Sequence, residues 1–196
     1  MIKIGGNVVK ALVLDLRSGN FDIADGEIPS AQDPNQPFLS YAENDIWHVK
    51  CRPDDGIVYD AKITVPGGTA EESISINACD AAIVSVPLTS GTITVKLGNS
   101  AAELDLAARR IILRLGKGSA NVRVRPQVSA TFECGLGRLN VFLRKNVRGY
   151  RYNIIHGAGS VVINSIPSER RTEIGPADGI PVFIKCGLGS INISEY

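Results

Sequence analysis

Three side chains at matching places in a repeated motif have the chemistry to hold a metal. Cys134, His156 and Cys186 each stand immediately before a Gly-x-Gly pair. In a fold that stacks those motifs, neighbouring strands lie about 4.8 Å apart, so two thiolates and an imidazole would share one column. Leu115 holds the fourth place in that column, which marks the position as apolar, and a buried free Cys packs as a small hydrophobe. Three ligands also leave the usual four-ligand structural site incomplete. A second group is cationic. Arg114, Arg123, Arg125, Arg138 and Arg144 fall within residues 109–151, together with Arg109, Arg110, Arg148, Lys117 and Lys145. Strand alternation turns Arg114 and Arg123 outward, and such a basic face would pair with the carboxylates or phosphates of an anionic polymer or of a protein partner. The plainer role of these arginines is to guard strand edges against aggregation.

The remaining reactive residues point away from catalysis. The chain has two histidines, His48 and His156, and neither lies in a Gly-x-Ser-x-Gly, His-Glu-x-x-His or Cys-x-x-Cys context. Gly116-Lys-Gly-Ser119 resembles a phosphate loop only superficially, because it lacks the earlier glycine and the helix that would hold the anion. Carboxylates such as Asp15, Asp22, Asp25, Asp54 and Asp55 could in principle form an acid pair for glycoside cleavage, but turns favour Asp for its own local hydrogen bonding. No catalytic residue is assigned and no cofactor is implied. Tyr41, Trp47 and His48 form an aromatic group that reads as a cover for one end of the fold.

The elements that would position these groups are strands. Four segments share the pattern apolar-x-x-Gly-x-Gly-x-apolar-x-apolar, with glycine pairs at Gly116 and Gly118, Gly135 and Gly137, Gly157 and Gly159, and Gly187 and Gly189. The first glycines are 19, 22 and 30 residues apart, so the units are regular and the connectors vary. Each unit reads as strand, tight turn, strand, with glycine expected to supply backbone angles closed to other residues. After each turn Ala120, Val122 and Val124, Leu139, Val141 and Leu143, Val161 and Ile163, and Ile191 and Ile193 alternate onto one inward face. Earlier runs at 12–16, 74–77, 83–86, 92–97 and 104–106 alternate in the same way, and 100–110 is read as strand rather than helix. The expected fold is all-β, either a β-solenoid of stacked strand-turn-strand repeats or a two-sheet β-sandwich. Residues 1–45, with the Pro-rich stretch 28–37, are expected to be an arm packed as a cap on a repeat domain over 46–196, one structural unit in all.

Composition limits the partners. Twenty-one Lys and Arg against 20 Asp and Glu leave a net charge of +1, which offers no global attraction for nucleic acid or anionic lipid. The longest apolar runs, such as 81–88, fall far short of a membrane span. Four cysteines are too few for a disulfide framework in a chain of 196 residues. Unpaired end strands would allow homo-oligomers.

Cys186-Gly-Leu-Gly-Ser-Ile-Asn-Ile193, its relatives at Cys134 and Gly157, and the turn Val65-Pro-Gly-Gly68 together resemble the terminal repeats of bacterial putative-adhesin domains of the "toastrack" kind. They are also similar to the C-terminal domain of cell-wall-active antibiotic response proteins. The resemblance spans roughly residues 57–196, leaves 1–45 without a counterpart, and implies a solenoid-like interaction domain linked to envelope stress, with no catalytic residues. The start of the chain shows no leader pattern, so the sequence as it stands points to the cytoplasm, and to the envelope or secretion if a leader or anchor has been removed. The functional expectation is a non-catalytic, adhesin-like interaction or scaffold module. The alternatives are a carbohydrate-active or metal-dependent enzyme on the same framework, or a self-assembling structural protein.

Overall fold

The computed structural model describes residues 9–26, 29–33, 39–51 and 58–196. Asp54, Asp55 and half of the Pro-rich stretch, residues 28 and 34–37, lie outside the described residues. The protein is all-β. In chain order the strands are β1 (Ala11–Leu16), β2 (Gly19–Asp25), β3 (Ser30–Gln32), β4 (Leu39–Glu43), β5 (Ile46–Lys50), β6 (Tyr59–Val65) and β7 (Ser73–Ala78). They continue with β8 (Ala81–Cys134), β9 (Arg138–Leu143), β10 (Tyr150–His156), β11 (Ser160–Ile163), β12 (Ile166–Pro167), β13 (Arg171–Ile174), β14 (Ile180–Cys186) and β15 (Ser190–Glu195). Among the described residues no helix is long and apolar enough to cross a membrane.

β8 cannot be one straight strand, since 54 extended residues would reach about 180 Å. It pairs instead with β2 over 81–85, with β7 over 92–97, with β9 over 119–124 and with β14 over 130–134. The chain therefore winds through successive coils, each placing one strand in each of two ladders. The first ladder runs β4, β5, β1, β7, then the β8 segments ending at 130–134, then β14, β10 and β13. The second runs β3, β6, β2, the β8 segments from 81–85 to 119–124, then β9, β15, β11 and β12.

Among the described strands the pairings between coils are parallel, and the antiparallel ones fall only at the two ends. Apart from the antiparallel end strands β3, β4, β12 and β13, consecutive strands alternate between ladders, which is the stacked-coil arrangement and not a sandwich of antiparallel meanders. The inward residues expected from alternation are buried and meet in register, as in the row Ala120, Leu139, Ile191 and Val161. Both ladders contribute to one continuous core, from Leu12 and Trp47 at one end to Ile154 and Ile163 at the other. Outside the core, Asn121, Asn140 and Asn192 form a hydrogen-bonded ladder, with amide contacts of 2.8 and 3.0 Å.

Three expectations need correction. Residues 11–25 are not part of a cap, because β1 lies between β5 and β7, and β2 lies between β6 and β8. Among the described residues of that segment, β3 and β4 cover the end of the stack. The same exchange occurs at the other end. The coil of β14 and β15 inserts beside 130–143, and the earlier coil of β10 and β11 lies outermost, so the glycine column runs 116, 135, 187, 157 in space. Finally, of the eight motif glycines only Gly118 has a left-handed backbone, with φ of 89°. The others are needed for close approach: a Cβ on Gly135 would sit 2.8 Å from the Gly116 oxygen, and one on Gly189 would sit 2.3 Å from the Gly137 oxygen.

Each end is closed by a two-residue hairpin. Asn44 and Asp45, with φ of 50° and 63°, turn β4 back on β5, and Asn164 and Ser165, with φ of 48° and 68°, turn β11 into β12. Positive φ at both central residues is the geometry that matches the twist of paired strands. Trp47 is buried under the first cover, with Nε1 donating to Ser40 Oγ at 3.0 Å, while Tyr41 and His48 stack at 4.7 Å. At the other end β12 is two residues long and contains Pro167, which blunts that edge.

Candidate functional site

The corner that follows each first-ladder strand is the most distinctive surface of the molecule. There the chain turns at Gly98, Gly116, Gly135 and Gly187, each set on the backbone of the coil beneath. A Cβ would collide with the coil beneath at Gly135, 2.8 Å from the Gly116 oxygen, and would sit tightly at Gly116 and Gly187, at 3.0 Å, and the missing side chains at these positions leave a groove. The groove has a volume of about 680 Å³ and is floored by these glycines with Ala78, Leu97, Leu115 and Cys134. It crosses six coils, at β1, β7, the three β8 segments ending at 97, 115 and 134, and β14. At about 4.8 Å per strand its length is about 24 Å.

One rim is a row of side chains in register. Asp15 pairs with Asn77, Asn77 with Lys96, and Glu133 with Lys185, while Arg114 reaches Glu133 in an ion pair of 3.1 Å. Arg17 adds a further cation at the β1 end. The lining therefore carries four cations, Arg17, Lys96, Arg114 and Lys185, against two carboxylates, Asp15 and Glu133. Arg114 is occupied by Glu133. Arg17, Lys96 and Lys185 are exposed and make no ion pair within 4 Å among the described residues.

The five arginines singled out by the sequence are dispersed. Arg114 belongs to the groove, whereas Arg123 and Arg138 are exposed on second-ladder strands, in register with Phe142 and with Ser119 and Ser190 respectively. Arg125 pairs with Asp105 at 2.6 Å on that side as well. Arg144 lies past the end of β9, and its carbonyl accepts a hydrogen bond from the Tyr150 hydroxyl. Lys96 and Lys185, which complete the groove, were missed. Their signal was positional: Lys96 stands two residues before Gly98, as Arg114 does before Gly116 and Lys185 before Gly187. Leu97-Gly-Asn-Ser100 is an additional copy of the motif, with Ser100 in place of the second glycine and in contact with Gly118.

Of the proposed metal ligands, Cys134 and Cys186 are register partners and both are buried. Cys134 Sγ donates to the Gly137 carbonyl at 3.2 Å. Burial pushes both thiols up, Cys186 to about 11, with the neighbouring Cys134 contributing in the same direction. His156 follows Cys186 in register, but its Nδ1 and Nε2 each lie 3.3 Å from a backbone carbonyl, those of Gly157 and Ser168. Among the described residues no three His, Cys, Asp or Glu side chains gather in a group that could hold a metal. The two thiols of the column are packed in the core, and His156 beside them lies against the carbonyl of Ser168 in the outer connector.

A second hollow of about 600 Å³ adjoins the groove near the outermost coil, lined by Thr131, Asn153, Ile155, Arg171, Glu173 and Phe183 among others. Ile155 and Phe183 are about half exposed there.

No protein-family model matches the chain, and no curated protein does. Among solved structures it is similar to the crystal structure of a putative cell adhesion protein from Clostridium sporogenes, with a TM-score of 0.53 and 16% sequence identity, over 100% of this chain and 97% of that one. At that identity the likeness shows the fold.

Proposed function

We propose that the chain is a non-catalytic interaction module of the adhesin-like kind, which holds an elongated partner along the flank of its coil stack in the bacterial cell envelope. The observation that carries this reading is the groove itself. It is long, shallow and open along its length, and its rim residues stand at the spacing of the coils. A site that runs across six rungs of a hydrogen-bonded ladder is pre-ordered, so an extended partner pays little for ordering the surface it meets. The cell-adhesion name of the Clostridium structure supports the same direction, as does the resemblance of the Gly-x-Gly units to adhesin-type repeats.

The test is retention of the purified chain on bacterial envelope fractions, with crosslinking to identify what it holds. Salt-sensitive retention without release of cleaved product is the expected result. A chain that stays soluble and partner-free, or that degrades the material it binds, overturns the reading.

A further inference from the structure

The chemistry of the groove narrows its occupant to one class, an inference that rests on the interaction-module reading above. The floor is apolar, formed by the glycine corners lying over the buried Leu97 and Leu115. Its backbone groups are already engaged between coils: Gly135 N donates to Leu115 O at 2.8 Å, Leu136 N to Gly116 O at 2.7 Å, and Gly187 N to Cys134 O at 2.8 Å. A peptide laid along this floor would turn unpaired N–H and C=O groups toward it at a desolvation cost. A sugar ring avoids that conflict, because it can present a C–H face to the floor and keep its hydroxyl and acid groups at the sides. The side available is cationic, with Arg17, Lys96 and Lys185 unpaired among the described residues and Arg114 shared with Glu133. Lys96 and Lys185 stand three rungs apart, about 14 Å, which requires an occupant of several units and not a single sugar.

We propose that the groove binds a linear acidic polysaccharide, a carboxylate-bearing chain lying parallel to the stack axis with its rings on the glycine floor and its acid groups at Lys96 and Lys185.

Polygalacturonate oligosaccharides are the probe, titrated calorimetrically into the full chain at low and at higher salt. The wild type is expected to bind, with affinity falling as salt rises. The double variant Lys96→Glu and Lys185→Glu is expected to lose at least about 10-fold, since each exposed pair contributes up to roughly 5-fold and reversal adds repulsion. Arg123→Glu with Arg138→Glu, an equal change of charge outside the groove, is expected to stay within about 2-fold if the contact is local and screened beyond about 8–10 Å. The proposal is overturned if the wild type fails to bind the probe, if the two double variants lose affinity equally, if the methyl-esterified oligosaccharide binds as tightly as the acid, or if polyglutamate or polyphosphate binds as tightly as the uronate. Undiminished retention of the Lys96 and Lys185 variant on envelope fractions removes this assignment and leaves the broader interaction reading standing. Melting temperatures of all variants confirm that affinities are compared between folded proteins.

Discussion

Gly189→Ala tests the physical reason for the repeated glycines. If the motif glycines are required for unusual backbone angles, alanine should be tolerated at Gly189, whose φ is not in the left-handed region. The structure gives a different expectation. An added Cβ would lie 2.3 Å from the Gly137 oxygen and 3.0 Å from Cys134 Sγ, so the coils would have to part by about 1 Å to reach ordinary contact. That movement would stretch the bonds from Gly189 N to Gly135 O and from Ser190 N to Gly137 O, now 2.8 and 2.9 Å, beyond hydrogen-bonding range. Two such bonds at about 1 kcal/mol each, with about 1–3 kcal/mol of overpacking, give about 3–5 kcal/mol. Gly67→Ala supplies the contrast. Gly67 has φ of +58° but only Thr69 Oγ1 within reach of a Cβ, at 3.7 Å, so its cost is the left-handed conformation alone, about 1–2 kcal/mol. For a chain of this length about 2–4 °C accompanies each kcal/mol, so melting followed by circular dichroism should fall by about 6–20 °C for Gly189→Ala and by about 2–8 °C for Gly67→Ala. Equal losses, or a larger loss at Gly67, would refute close approach as the reason.

Asn140→Ala removes the middle of the asparagine ladder and strands Asn121 Oδ1 and Asn192 Nδ2, and urea unfolding should register a loss of about 1 kcal/mol, more than Asn121→Ala at the ladder's end. Alkaline pH should destabilise the fold: burial raises Cys186 and Cys51 to about 11 and Tyr150 to about 12, so their contribution is intact below the ordinary values near 9 and 10 and is lost as pH climbs toward 11 and 12. Melting temperature against pH, with tyrosinate absorbance, checks that sign, and a fold that gains stability over that range contradicts it. Among the four thiols, exposed Cys79 should react first with a thiol reagent, ahead of buried Cys51, Cys134 and Cys186, which mass spectrometry of the partly labelled protein resolves. Tyr152→Phe removes a hydroxyl that donates to Glu195 Oε1 at 2.6 Å and should cost about 1.5–3 kcal/mol, the range for a hydrogen bond to a charged group.

The strands and the inward face were legible because alternation is a local signal: Val122, Val141 and Ile193 fall two residues from their neighbours whichever coil lies beside them. The groove was half legible. Arg114 could be chosen for its charge, but Lys96 and Lys185 join it only through register, and register depends on which coil stacks on which. That order was hidden at both ends. Every coil presents a similar apolar face, so β1 and β2 would bury the same residues in the interior or at the end, and hydrophobic patterning cannot choose between those places. What chooses is the means of closing the stack. A coil can be outermost only if a following or preceding segment folds back to cover it, and the segments that do so leave β5 and β11 through Asn44-Asp45 and Asn164-Ser165. Those dipeptides adopt the geometry of a two-residue hairpin, though Asn-Ser is a weaker signal than Asn-Gly and also stands at Asn99-Ser100 inside the interior coils, so the dipeptide alone does not mark an outermost coil. A strand followed or preceded by such a hairpin must have its far edge covered antiparallel, which removes it from the parallel interior and forces the remaining terminal coil inward. The same reasoning places Lys185 beside Glu133 rather than at the end of the molecule. The acidic-polymer site therefore depends on the hairpin at Asn164-Ser165, some distance from any residue that would touch the polymer.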